Sequence, residues 1–304
     1  MAESPLPNAY HKSQPIVYYT RSKVKRGPAW PVIPKASVSI RKEHMAMAEK
    51  QLKVIYHNIY LNKYPTASCE TPQRVSSIVR VLEAHYPIIA PNPATEDDIL
   101  LVHTPSILQS VKREAVLYPA AMMAVGGAIM AAEMASQGEP TFAAIRPPGH
   151  HASPGSHWGF CFFNNVAIAI QKLIQNRTIS QALILDIDLH FGDGTDNFFS
   201  NSRNVVVANI QDNNRRTFLD NVDRALSGNE YDMVAISAGF DRHQEDWGGT
   251  LTTEDYFTIG RNVREHARTK CRGRYFAVLE GGYNTAVLGE NALALCRGMD
   301  PAHP

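Results

Sequence analysis

Cysteine is scarce in this chain. Four occur in 304 residues, at 69, 161, 271 and 296, and none forms a C-x-x-C pair. That spacing supports neither a cysteine-ligated zinc site nor a disulfide framework, and suits free thiols in a reducing, cytoplasmic setting. Net charge is nearly absent as well. Thirty basic and 29 acidic residues leave a formal +1, so no long-range field points to nucleic acid as a partner. The start, Met1-Ala-Glu-Ser-Pro5, lacks a charged segment followed by an apolar one, and no secretory signal is expected there. Repeats and low-complexity segments are missing. One long uncharged run, 115–132, reaches the length of a membrane span. It is mostly alanine and contains Pro119, Gly126 and Gly127. It reads as a core helix packed closely through small residues, and no membrane partner is expected.

The chain is 44% hydrophobic and 19% charged, enough apolar content for one large α/β domain. Residues 1–40 carry six prolines (5, 7, 15, 28, 31, 34) and read as an extended arm with one short strand, Pro15–Tyr19. Residues 41–304 read as a single domain. A helix is expected over 41–62, and Thr71-Pro72 opens another, with threonine as N-cap and proline at the first helical position. Further helices are expected near 105–115, 119–136, 164–176, 193–200, 214–227, 253–268 and 285–297. Between them lie the apolar runs Thr141–Ile145, Ala182–Leu185, Val205–Ala208, Met233–Ile236 and Tyr275–Leu279. Continuous apolar strands alternating with helices indicate a central, mostly parallel sheet covered on both faces.

Four of these five runs end in reactive side chains: Arg146-Pro-Pro-Gly-His-His151, Asp186-Ile-Asp-Leu-His190, Ser237-Ala-Gly-Phe-Asp241 and Glu280-Gly-Gly-Tyr283. Ligands of open α/β sheets bind beyond the carboxyl ends of the strands, so four such ends can converge on one site. In Asp186-Ile-Asp-Leu-His190, alternate residues of an extended segment share a face. Two carboxylates and an imidazole there are costly to desolvate without a cation or a hydrogen-bond network. The bland alternative is a buried carboxylate pair that caps loops. Asp188 and His190, with Asp241 from another strand, make a three-ligand metal set that leaves a position open for water and substrate. For Asp241 the bland alternative is a loop cap. His150 and His151 follow a stiff Pro-Pro-Gly turn. One can act as general base on the attacking water and the other can stabilise charge or donate a proton, with Asp186 and Asp193 left to orient one ring each. Tyr283 can place a phenol against a developing oxyanion, the bland alternative being a core or rim tyrosine. Gly159, Phe160 and Trp247 flank these segments as apolar walls, or as ordinary packing.

The combination resembles the zinc-dependent histone deacetylase and acetylpolyamine amidohydrolase superfamily, with its three-layer α/β/α arginase-type fold. Carrying the resemblance are Arg146-Pro-Pro-Gly-His-His-Ala152, Gly159-Phe-Cys-Phe-Phe-Asn-Asn165, Asp186 to Thr195, Ala238-Gly-Phe-Asp241, Glu280-Gly-Gly-Tyr283 and Glu70-Thr-Pro-Gln-Arg74. It covers about residues 65 to 298. The resemblance implies that Asp188, His190 and Asp241 ligate Zn2+, with Fe2+ or Co2+ as alternatives suited to the same donors. It implies His151 as general base with Asp193 behind it, and His150 as the second histidine with Asp186 behind it. Tyr283 would bind the carbonyl oxygen and then the oxyanion. Asp186, with backbone carbonyls of its loop, would hold a monovalent cation, usually K+. Phe160 matches one wall of an acyl-lysine tunnel. The expected partner is an acylated amine, either an acetyl-lysine peptide or an acetylpolyamine.

The chain departs from that pattern in three places. The glycine-rich stretch between the Val205 and Met233 strands is reduced to Asn209–Arg216 and one helix. The loop after Glu114 is nearly absent. The rim after Asp241 reads Asp246-Trp-Gly-Gly249, with Gly248 nearest to the place of a polyamine-selective glutamate. These departures imply a site more open than usual, or one re-walled by the N-terminal arm and Trp247. Two other functions compete. An arginase-like two-manganese site needs further bridging aspartates, whereas Asp241 is followed by Arg242-His243. A catalytically silent acyl-binding protein is expected to lose a ligand, a histidine or the tyrosine, and all are present.

Overall fold

Four of the five apolar runs form strands that pair on both sides and are covered by helices above and below; the fifth, Val205–Ala208, forms an edge strand. The structure, a computed structural model, describes residues 50–303. The chain divides between Met45 and Ala46, and all described residues fall in the second unit. The expected arm, its short strand at Pro15–Tyr19 and residues 41–49 of the first expected helix lie outside them.

In chain order the elements are β1 (Lys53–Ile55), a 3-10 turn (Asn58–Leu61), α1 (Pro72–Leu82), β2 (Ile88–Ile89), α2 (Glu96–Ile99), α3 (Pro105–Lys112), α4 (Leu117–Ser136) and β3 (Thr141–Ala143). There follow α5 (Asn165–Gln175), β4 (Ala182–Asp186), α6 (Asp193–Phe199), β5 (Val205–Asn209), α7 (Arg215–Ser227), β6 (Met233–Ala238), α8 (Thr253–Lys270), β7 (Tyr275–Leu279) and α9 (Leu288–Met299). The sheet is wholly parallel, in the order β2-β1-β3-β7-β6-β4-β5. Strands β3, β4, β6 and β7 are buried along their whole length, while the edge strand β5 is mostly half-buried, with Val206 exposed. This is the burial pattern of a parallel sheet between two helical layers. Helices α4 and α5 pack together on it, and α8 packs with α9 and α7, and α9 with α1. The architecture is the three-layer α/β/α form expected from the sequence.

The described part of the helix expected over 41–62 is not α-helical: it is a strand followed by one 3-10 turn. Val54 and Ile55 pair with β2 on one side and β3 on the other, and as a helix they would leave β3 with an open edge. A short apolar run fits helix and strand periods alike, and sheet pairing decides. Beyond it, His57 accepts the Ile59 N–H at 3.1 Å and starts the 3-10 turn. Thr71 and Pro72 open α1 as expected, although the Thr71 side chain makes no capping hydrogen bond.

Helix α4 is long and apolar enough to cross a membrane, yet most of it is buried in the core. Pro119 is its third residue, where a missing N–H breaks no intrahelical bond. A Cβ at Gly126 would overlap the Asn92 carbonyl oxygen, and one at Gly127 would crowd Tyr60 and Ile145. The small residues therefore set how closely the helix approaches its neighbours.

Candidate active site

The four reactive strand ends belong to β3, β7, β6 and β4, four consecutive strands of the sheet. All run parallel, so their carboxyl ends share one edge. Asp188 and Asp241 are fully buried there, and His190 keeps 38% of its side chain exposed. One ligand atom from each lies within 4.8 Å of the others. His190 Nδ1 is 3.3 Å from Asp188 Oδ1 and 3.1 Å from Asp241 Oδ2. Ligands bound at about 2.0–2.2 Å to a tetrahedral ion lie about 3.3–3.6 Å apart, so this spacing fits one small dication.

The carboxylates are held by backbone donors. Asp188 Oδ2 accepts the Gly281 N–H at 2.7 Å, Asp188 Oδ1 accepts that of His190 at 2.9 Å, and Asp241 Oδ1 accepts that of Leu189 at 2.9 Å. A Cβ on Gly239 would overlap the Asp188 carboxylate, and one on Gly281 would meet both carboxylates. Glycine here is what lets two backbones close around the pair.

The electrostatics ask for positive charge. Burial and the facing Asp188 push the Asp241 carboxyl up to about 7. Hydrogen bonds to Asp188 and Asp241 raise His190 to about 10. The cluster takes up protons unless a cation displaces them, as expected of a metal site in which binding releases protons. The donor set therefore fits a zinc-sized dication.

Two histidine–carboxylate pairs flank the cluster. His150 Nδ1 lies 3.0 Å from Asp186 Oδ2, and His151 Nδ1 lies 2.7 Å from Asp193 Oδ1. The rings are 4.1 Å apart between centroids. Their protonation preferences diverge. Burial alone lowers the His150 pKa, but Asp188 and Asp186 outweigh it and hold it well above the imidazole range. Burial and the neighbouring His150 lower His151 to about 4. Glu280 Oε2 accepts the N–H groups of Gly149 (2.7 Å) and His150 (3.1 Å), which pins the histidine loop to β7. His150, Cys161 and Glu280 also bring N, S and O atoms within 4.8 Å of one another. Burial pushes the Cys161 thiol far up, which makes it a poor ligand.

Tyr283 lies within the fields of Asp188 and Asp241. Burial raises its pKa, so the phenol keeps its proton and remains a donor. The Phe160 ring meets it edge-on at 6.1 Å and the Trp247 ring lies flat against it at 4.0 Å. Gly159 and Phe160 both take left-handed backbone, with φ of +59° and +66°, and a Cβ on Gly159 would strike the His151 ring. Phe160 accepts an unfavourable conformation for a non-glycine residue at the edge of the site. The walls named from the sequence thus reach Tyr283 and His151. Whether the N-terminal arm adds another wall lies outside the described residues.

A family model for the histone deacetylase domain matches residues 68–219 and 211–299. The chain belongs to the histone deacetylase family. A protein named probable deacetylase from Methanothermobacter thermautotrophicus is 30% identical over 287 residues, covering 76% of this chain and 85% of that protein. Histone deacetylase HDA1 of Saccharomyces cerevisiae is 28% identical over 271 residues, covering 67% of this chain and 38% of the yeast protein. The crystal structure of the HDA15 HD domain superposes with a TM-score of 0.72 at 23% identity, over 82% of this chain and 89% of that one. That likeness speaks to the fold. Family and relatives together support deacetylase chemistry.

Three features of this histone deacetylase domain escaped the sequence reading. The Trp158 Nε1–H donates to Asp193 Oδ2 at 2.9 Å, and its ring covers His151 at 4.0 Å, although 55% of the residue is exposed. Its partner is 35 residues away, and nothing local announces the bond. Glu70 is gripped by two buried arginines, Arg74 at 3.1 Å and Arg146 at 2.8 Å. Arg74 also binds the carbonyls of Gly282 and Glu280, and its guanidinium stands 4.8 Å over the Tyr283 ring. The Glu70–Arg74 spacing was visible in the sequence, but its reach to the tyrosine loop was not. Arg242, next to Asp241, is the third.

Proposed function

We propose that the chain is a zinc-dependent deacetylase that removes an acetyl, or another acyl, group from an acylated amine, with the acetyl-lysine side chain of proteins and peptides as substrate. One observation carries this reading: a three-donor cluster with two His–Asp pairs beside it, on four adjacent strand ends. Asp188, His190 and Asp241 hold the zinc; iron(II) or cobalt(II) suits the same donors. Bound there, the dication acts as a Lewis acid toward the amide carbonyl and acidifies water.

The chain's own groups do the rest. Asp193 fixes the Nδ1 side of His151, which leaves Nε2 of a neutral ring to take the proton of the attacking water. His150, held through Nδ1 by Asp186, gives a proton to the departing amine. Tyr283 donates its hydroxyl to the carbonyl oxygen and keeps that bond as the oxygen gains charge. Environments that push two neighbouring groups to opposite protonation states are a common basis of such acid–base division. Phe160 and Trp247 line the approach, and Gly159 lets the backbone lie against His151. The names of relatives such as histone deacetylase HDA1 favour acetyl-lysine over an acetylpolyamine.

The test is acetate release from an acetyl-lysine peptide and from an acetylpolyamine, ranked by kcat/KM, with and without a zinc-binding hydroxamate. Hydroxamate-sensitive release that is faster from the peptide is expected. Faster release from the polyamine would overturn the substrate assignment. Absence of release from both by metal-loaded protein would overturn the activity.

A further inference from the structure

Arg74, Arg146 and Arg242 are the largest fully buried side chains of the domain. The first two share Glu70. Arg242 is 1% exposed, and among the described residues it forms no ion pair. Its donors go to main-chain oxygens instead. Nε binds Asp188 O at 3.1 Å, Nη1 binds Asp212 O at 2.9 Å, and Nη2 binds Ile210 O at 3.0 Å and Leu189 O at 3.2 Å. With the Gln211 amide turned as its neighbours require, its oxygen adds another acceptor at 3.3 Å. The guanidinium also lies 4.8 Å over the Phe218 ring.

Burying a guanidinium without a carboxylate partner is costly. What offsets the cost here is a cage of carbonyl dipoles and the field of Asp241, Asp188 and Asp186 just beyond it. Such an oxygen cage, beneath a carboxylate cluster, is what a bare monovalent cation needs to replace its hydration shell.

The family resemblance implies a potassium ion at Asp186, shared with carbonyls of the same loop. In this chain most of the oxygens that would hold it already accept hydrogen bonds, and a guanidinium occupies the space between them. Asp188 O and Leu189 O already accept from Arg242. The oxygens of Asp186 are engaged too: its carbonyl accepts the Ile210 N–H at 3.0 Å, Oδ1 accepts that of Asp188 at 3.0 Å, and Oδ2 faces His150.

We propose that Arg242 is a resident cation. Its guanidinium stands in for a bound monovalent ion, ties the Asp188–Leu189 segment to the Ile210–Asp212 loop, and holds the metal ligands in place without potassium or sodium. Arg242 is thereby a positioning residue, acting through the backbone of Asp188.

The test compares the whole chain in potassium, sodium and tetramethylammonium chloride at matched ionic strength. Three quantities are read: thermal midpoint, zinc affinity and kcat/KM for acetate release. The thermal midpoint depends on neither the zinc site nor the activity proposed above, so failure of that reading does not remove this one. All three are expected to be the same in the three salts. A midpoint or zinc affinity that drops in tetramethylammonium and returns with potassium would overturn the proposal. In Arg242→Gln, zinc affinity is expected to fall and to recover in part when potassium replaces tetramethylammonium. A variant equally impaired in all salts, or one with unchanged zinc affinity, would make Arg242 only a structural clamp or a bystander. If that variant does not fold, the comparison in the unmodified chain still decides.

Discussion

Trp247 lies face to face with Tyr283, their ring centroids 4.0 Å apart and their planes inclined by 18°. The same indole meets His190 edge-on at 5.9 Å, so one exposed side chain packs against both a proposed metal ligand and the proposed oxyanion donor. Its main chain helps to fix the arrangement. Asp246 Oδ2 accepts the N–H groups of Tyr283 and Asn284 at 2.8 Å each, and Oδ1 accepts that of Trp247 at 2.8 Å. An aromatic pair contributes about 0.5–1.5 kcal/mol beyond its buried area. Trp247→Ala should therefore lower kcat/KM roughly two- to twelvefold, and Trp247→Phe should restore most of it. Equal kcat/KM for the alanine variant and the parent would remove the stack from the account.

Trp158 acts from the other side, through Asp193. Replacing it by phenylalanine keeps the cover over His151 and deletes the bond to the carboxylate. Because the indole is half in water, the loss should be about 1 kcal/mol. That is roughly fivefold in kcat, with KM unchanged. A change in KM alone would instead place Trp158 in substrate binding.

Tyr283→Phe should reduce kcat by about 2.7–4 kcal/mol of transition-state stabilisation, while zinc content by elemental analysis stays at the parent level. Near-normal turnover would take the phenol out of the mechanism.

His103 gives a pH test of stability away from the chemistry. It is buried, with Nδ1 3.0 Å from Ser153 O and Nε2 accepting the Asn164 N–H at 2.8 Å. Burial lowers it to about 4. The unfolded chain titrates near 6.5 and so binds the proton more readily than the fold does. Stability is thus full above about 6.5 and is lost as pH falls toward 4, by at most about 3 kcal/mol from this group. Urea unfolding of the parent and of His103→Gln across that range should show the parent losing ground to the variant as pH drops. A difference that stays constant with pH would refute the assignment.

What was legible in the sequence depended on how local its cause was. Strands β4, β6 and β7 were readable because both of their faces are covered, which leaves continuous apolar runs. Strand β1 is three residues long, and its partners, Ile88–Ile89 and Thr141–Ala143, lie far along the chain. Its spacing looked helical for that reason. Asp188 and His190 are two residues apart, but they lie in a bend just past β4 and not on the extended strand expected, so the turn and not strand alternation brings them together. Asp241 and Tyr283 could be grouped with them only because parallel strands place their carboxyl ends on one edge. Trp158 and Arg242 could not be found in this way. One bonds to a carboxylate 35 positions on, and the other to main-chain carbonyls that carry no sequence signature.

In the proposed mechanism Asp188, His190 and Asp241 together hold one dication on which amide hydrolysis depends. The direct measurement strips the chain of metal and then titrates zinc while acetate release from an acetyl-lysine peptide is followed. No release is expected from stripped protein, followed by a rise that saturates at one zinc per chain. Undiminished release from stripped protein, or none with one zinc bound, would contradict that mechanism.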